Sequence, residues 1–195
     1  MHLILMRHGE PVRSGPDALD PELSPTGLTQ AAAAVPYLRL CDVAALYSSP
    51  QRRAAQTASV VADVLGRPVE VDQDLVEFDH GAPYVHYDDG SAPVWRSYLA
   101  GDLSPWGLTA AGFQARVTGV MDRLARTHPA EATVLAVCHG GVINAWTCQV
   151  LGARERLFMF EPGYCALNRY ECDGGSWKVV SLNECPPAET SSTNK

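Results

Sequence analysis

Residues 2–10, HLILMRHGE, and 133–141, TVLAVCHGG, share one pattern. In each, a short apolar run ends on a histidine followed by glycine. Such runs read as strands buried on both faces, the habit of a parallel sheet covered by helices. The polar residues at their ends then fall where strands hand over to helices, and open α/β sheets bind ligands there. Residues 43–48 (VAALYS) read as a further strand, and 68–72 as a short one. Ser24-Pro25 supplies a cap and a first-turn proline for a helix to about residue 40, with Pro36 placed to kink it. Ser49-Pro50 repeats that signal for a helix to about Leu65, stopped by Gly66. Thr109 caps a long helix over 110–127, and an apolar helix follows Gly140-Gly141 to about Leu151. Residues 165–171 and 176–182, joined by Asp173-Gly174-Gly175, read as a hairpin. The stretch from Asp79 to Pro105 is irregular, with one short helix near 92–100, and its length suits a covering loop. This alternation predicts an α/β fold with a mostly parallel sheet closed by an antiparallel pair. Residues 1–185 are expected to form one domain, and the polar 186–195 a disordered tail.

The chain has 195 residues, with 15 Lys and Arg against 22 Asp and Glu, for a net charge of −7. That balance excludes a general nucleic-acid binder. An acidic surface also repels phosphorylated ligands, so a phosphate site must be built from a few convergent cations. No run approaches the ~20 apolar residues that span a bilayer, so no membrane partner is expected. The start, MHLILMRHGE, is too short and too soon charged for a signal peptide. The six cysteines, at 41, 138, 148, 165, 172 and 185, form no C-x-x-C pair and are read as reduced thiols of a cytoplasmic protein, Cys138 as a small buried hydrophobe. Asp88-Asp89 reads as a solvated turn rather than a metal site, and His128, at a helix end, as structural. The apolar C-terminal half offers a surface for a homodimer.

Three strand ends carry the chemistry. The first reads Arg7-His8-Gly9-Glu10, the second Ser48-Ser49-Pro50 with Arg53 in the following helical turn, and the third His139-Gly140-Gly141. Two arginines can grip a phosphoryl group and stabilise the charge on its equatorial oxygens during transfer. A neutral imidazole is a competent nucleophile near pH 7, provided its other nitrogen donates to a carbonyl and so fixes the tautomer. The helix N-termini after Ser49 and Gly140 add positive partial charge. The chemistry expected is phosphoryl transfer to a histidine, followed by hydrolysis.

These residues resemble the signature of the histidine phosphatase superfamily, whose fold is phosphoglycerate-mutase-like. Arg7-His8-Gly9-Glu10 matches its first motif. LSPTGLTQA at 23–31, SSPQRRAAQTA at 48–58, DLVEFDHG at 74–81, VCHGGVI at 137–143 and SLNEC at 181–185 follow in the family's order. The resemblance implies a three-layer α/β/α sandwich, with a mostly parallel sheet and an antiparallel edge strand. It makes His8 the nucleophile, lines the phosphate pocket with Arg7, Arg53 and His139, and makes Glu77 the general acid and then the base. Gly140, Ser14 and His80 are further candidates for contact with the substrate. His86, Tyr84 and Tyr87 either line the same pocket or lie on an exposed loop, and Trp95 and Trp106 either cover it or simply pack. The resemblance implies hydrolysis without a metal or organic cofactor, on a small-molecule phosphate ester, by a histidine acid phosphatase-type phosphomonoesterase. Two departures bear on the reaction. Pro11 stands where the family commonly has Thr or Ser, and Ser14 where it has Asn. Mutases of the family are also longer, which favours a phosphatase. The alternatives are a phosphoglycerate-type mutase and an inactive protein that binds phosphate esters.

Overall fold

The computed structural model describes residues 1–13, 19–84 and 93–185. Its centre is a six-stranded sheet in the order β3-β2-β4-β1-β5-β6. The strands are β1 (His2–Arg7), β2 (Val43–Ser48), β3 (Val69–Val71), β4 (Thr133–Cys138), β5 (Leu167–Asp173) and β6 (Ser176–Glu184). The pairs β1–β4, β2–β4 and β2–β3 are parallel. The pairs β1–β5 and β5–β6 are antiparallel.

Alternate residues of the central strands serve two separate cores. Leu3, Leu5, Val134, Ala136 and Cys138 face one side, where α4 (Ala110–Thr127) and α5 (Gly140–Val150) pack. Ile4, Met6, Leu135 and Val137 face the other, against α1 (Pro25–Arg39) and α2 (Arg52–Leu65). The apolar runs are apolar throughout because both of their faces are covered. Each such Leu, Ile or Val contributes about 1.5–3 kcal/mol through burial. The remaining helix, α3 (Pro93–Leu99), follows Asp79 through the covering region.

Local signals explain most element ends. Ser24 caps α1, its side chain accepting from Gly27 N at 3.0 Å. Thr109 does the same for α4 at 3.1 Å. Gly66 ends α2 in the left-handed region, with φ of 63°. The start of α2 differs from the expected cap at Ser49, because the helix begins at Arg52. Ser49 Oγ is engaged by His139 Nε2 at 2.8 Å and by the Gln51 N–H at 3.3 Å. The N–H of Arg52, in the first turn of α2, goes instead to the Asp20 carboxylate, at 3.0 and 3.2 Å. Outside the site, His128 Nε2 meets Tyr47 Oη at 3.0 Å, in keeping with a structural role. Among the described residues no helix is long and apolar enough to cross a membrane.

Candidate active site

Parallel register sets the two strand-end histidines side by side. Arg7 of β1 pairs with Cys138 of β4, so the next residue of each, His8 and His139, leaves the sheet together. Their ring centroids lie 5.2 Å apart, at an interplanar angle of 57°. From this point α1 packs on one face of the sheet and α5 on the other. The chain thus opens a crevice at the carboxyl ends of β1, β4 and β2. Gly9 is required there by close approach. A methyl on it would lie 2.5 Å from the Gly27 carbonyl oxygen at the start of α1.

The partners of His8 fix its tautomer. Nδ1 lies 2.7 Å from the Gly9 carbonyl oxygen, which can only accept. Nε2 lies 3.2 Å from Arg53 Nε, which can only donate. Nδ1 therefore carries the proton, and Nε2 holds the lone pair. Burial, then the Arg53 and Arg7 charges, hold the imidazole pKa well below the ordinary value, so His8 is neutral at pH 7. His139 is held low in the same way, first by burial and then by Arg53.

Both arginines are buried, at 1% exposure for Arg7 and 0% for Arg53. Arg7 Nη1 donates to the Pro162 carbonyl, and its guanidinium lies 4.2 Å from the ring centroid of Tyr164. Arg53 Nη2 donates to Asp79 Oδ1 at 3.2 Å, while the Tyr84 ring centroid lies 4.5 Å from the guanidinium. Two buried guanidiniums beside two neutral imidazoles build a local cationic pocket in an acidic protein, with the Asp79 carboxylate as a buried counter-ion to Arg53. Such a site is suited to a phosphoryl dianion.

Glu77 borders this cluster from the loop after β3. Its oxygens accept from Gly141 N at 2.7 Å and from its neighbour Phe78 N at 3.0 Å. The Gln51 side chain accepts from Glu77 N at 2.7 Å, and Arg116 Nη1 donates to the Val76 carbonyl at 2.7 Å. Phe78 anchors the loop, its ring stacking on Tyr98 at 4.4 Å and meeting Trp106 edge-on at 4.7 Å. Burial, and next the charge of Asp79, push the Glu77 pKa up to about 7, against the two N–H donors and Arg53, which favour the carboxylate. Glu77 is thereby poised to give and take a proton near neutrality. A methyl on Gly141 would overlap Glu77 Oε1 and come within 2.7 Å of Phe78 Cδ1. Gly141→Ala is therefore expected to lower kcat by about 10²-fold with the fold retained, the usual cost of displacing a reacting group by ~1 Å. Steady-state kinetics beside a thermal melt check it.

The model of the histidine phosphatase superfamily (branch 1) matches residues 3–185. The chain belongs to this superfamily. It is 30% identical over 173 residues to a glucosyl-3-phosphoglycerate phosphatase of Mycolicibacterium vanbaalenii, covering 77% of this chain and 74% of that one. It is 26% identical over 205 residues to phosphoserine phosphatase 1 of Hydrogenobacter thermophilus, covering 93% and 87%. A solved mycobacterial glucosyl-3-phosphoglycerate phosphatase, in complex with VO3, superposes with a TM-score of 0.77 at 26% identity, covering 94% of this chain and 98% of that one. This histidine phosphatase is a phosphoric monoester hydrolase that acts on small phosphorylated metabolites.

Of the residues singled out in the sequence, the structure brings His8, Arg7, Arg53, His139 and Glu77 into one buried cluster. Gly140 opens α5 beside them. His80 is exposed, and its backbone N–H turns back to the Glu77 carbonyl at 3.3 Å, so it does not join the buried set. Ser14, His86, Tyr87 and the Asp88-Asp89 pair lie outside the described residues. Trp95 and Trp106 pack in the aromatic cluster around Tyr98 and Phe78. Tyr84, one of two readings for its loop, lies over Arg53. Sequence reasoning missed Tyr164, Asp20, Gln51 and Arg116. Each acts through a tertiary contact that local sequence does not announce, Gln51 even though it lies within the 48–58 motif.

Proposed function

We propose that this chain hydrolyses its phosphomonoester through a covalent phospho-His8 intermediate. The observation that carries the reading is the His8 tautomer, with its lone pair on Nε2 facing a buried arginine and a second imidazole. Nε2 attacks phosphorus while Arg7, Arg53 and His139 hold the equatorial oxygens, and the bond to the leaving oxygen breaks. Protonated Glu77 gives its proton to that oxygen, and the alcohol departs. The Glu77 carboxylate then takes a proton from water as the water attacks phosphorus. The P–N bond breaks, Nε2 regains its lone pair, and inorganic phosphate leaves. Each step uses side chains that the cluster already holds.

The reading extends to an acid phosphatase-type enzyme. On the acid side of neutrality Glu77 keeps its proton while the depressed pKa of His8 keeps Nε2 unprotonated, so both reacting groups are in the required form. A cytoplasmic location is supported by six cysteines that are all free thiols. Residues 1–185 acting as one catalytic domain, with a homodimer through the C-terminal half, complete the proposal. Light scattering at defined concentration tests the dimer.

The test of the mechanism is a phosphate-release screen over sugar phosphates, phosphoglycerates, nucleotides and phosphorylated amino acids, with the phosphoenzyme trapped by rapid quench. A phosphoenzyme stable to base and labile to acid, the behaviour of a phosphoramidate, is the expected result. Phosphoryl transfer between substrate oxygens that outpaces phosphate release would establish a mutase instead. Tight ligand binding without turnover across the panel would establish a binding protein.

A further inference from the structure

Arg53 is buried like Arg7, and two of its donors are already directed, while Nη1 makes no hydrogen bond among the described residues. Nε–H points to the lone pair of His8 Nε2 at 3.2 Å, and Nη2 to Asp79 Oδ1 at 3.2 Å. Asp79 is itself buried, at 2% exposure. The lone pair that must meet phosphorus is therefore covered by an N–H, and that N–H belongs to a side chain held by a carboxylate. A carboxylate oxygen and a phosphoryl oxygen are the same kind of acceptor to a guanidinium. Asp79 stands two residues after Glu77 on a loop pinned by the Phe78 aromatic contacts, and its carbonyl accepts from Ala82 N at 2.9 Å. It is thus built into place rather than draped over the pocket. Asp20 also approaches Arg53, with Oδ1 at 3.6 Å from Nη1, but that carboxylate is 40% exposed and caps the N–H of Arg52.

We propose that Asp79 is a positioning and specificity-determining residue that competes with the incoming phosphoryl group for Arg53, keeping the His8 lone pair covered until a dianion displaces it. The inference rests on the phosphohistidine reading above and goes beyond it. A phosphomonoester dianion carries more charge than the carboxylate and takes over the guanidinium, drawing Nε–H off His8. A singly charged ester, such as a sulfate monoester, gains no such advantage over Asp79 and is discriminated against. The groups facing Asp79 that bear on this exchange are Arg53 from α2, Glu77 on its own loop, Tyr84 and, through Arg53, His8 and Asp20.

The experiment is competitive inhibition of the full chain by vanadate and by inorganic phosphate, against an aryl phosphate, in wild type and Asp79→Asn. With the competitor neutralised, both inhibition constants are expected to fall roughly tenfold and KM to fall with them, the gain from removing a state that cannot bind. The preference for phosphate over sulfate esters is expected to narrow. Constants that rise would mean that Asp79 presents Arg53 to the ligand, and constants unchanged within about twofold would mean no competition. Either result overturns the proposal. Should a thermal melt show that Asp79→Asn does not fold, the wild type is read directly by carbon NMR of its aspartate carboxyls. Saturation with inorganic phosphate is expected to move the Asp79 carboxyl resonance, and an unmoved resonance overturns the proposal. A wild type that neither ligand inhibits would sink the phosphatase mechanism itself. A well-inhibited wild type beside an unaltered variant sinks the Asp79 proposal alone.

Discussion

His8→Ala is expected to lower phosphate release from an aryl phosphate on the order of 10⁴-fold or more, the scale for losing a covalent nucleophile. Its structural cost is small by comparison. The imidazole makes one bond to its own neighbour, Gly9, and one to Arg53, and Arg53 keeps Asp79 and the Tyr84 ring as partners. The variant should therefore fold and retain affinity for vanadate within about tenfold, since Arg7, Arg53 and His139 remain. Rapid-quench labelling should show no phosphoenzyme. A variant that turns over near the wild-type rate, or that still forms an acid-labile phosphoenzyme, would remove His8 from the reaction and leave His139 as the candidate nucleophile.

Replacing the acid should cost less and should change the shape of the pH profile. Glu77→Gln is expected to slow hydrolysis of an alkyl phosphate by about 10²–10⁴-fold. The sign with pH follows from the raised pKa. A carboxyl that stays protonated up to about 7 can protonate a leaving alkoxide below that pH and has no proton to give above it. Wild-type kcat on an alkyl phosphate should therefore fall as pH rises through about 7, and this limb should vanish in the variant. An aryl phosphate, whose leaving oxygen needs little help, should show a smaller loss. Glutamine also presents an NH2 where Gly141 N–H and Phe78 N–H each need an acceptor, so part of the loss is positional. The contrast between leaving groups separates the two contributions. Unchanged rate and pH dependence would transfer the role to another carboxylate.

Much of the fold was legible because buried strands announce themselves. LILM at 3–6 and VLAVC at 134–138 are apolar throughout, and they lie in the sheet with one core against each face. Thr109 and Ser24 cap the helices that their positions suggest. The neighbour relation between β1 and β4 was not legible from periodicity, since nothing in either run names its partner. The ordered motifs implied one phosphate pocket shared by His8 and His139, and the strand pairing itself comes from the structure. The division of labour between Glu77 and Asp79 was least accessible. The two stand two residues apart in one segment, and one meets the N–H of Gly141 while the other meets the guanidinium of Arg53. Only packing separates the proposed proton carrier from the carboxylate that pairs with Arg53. Ser49 gives the converse lesson, since a strong local cap signal yields to a tertiary partner, His139.

The parallel alignment of β1 with β4 has a kinetic consequence. Its two members are far apart along the chain, His2 pairing with Thr133, and the intervening helices can form early from local contacts alone. The imidazoles meet only when that late, long-range closure is complete. Catalytic competence thus waits on a long-range closure, and a nascent chain that has not yet reached β4 cannot dephosphorylate metabolites while it is being made.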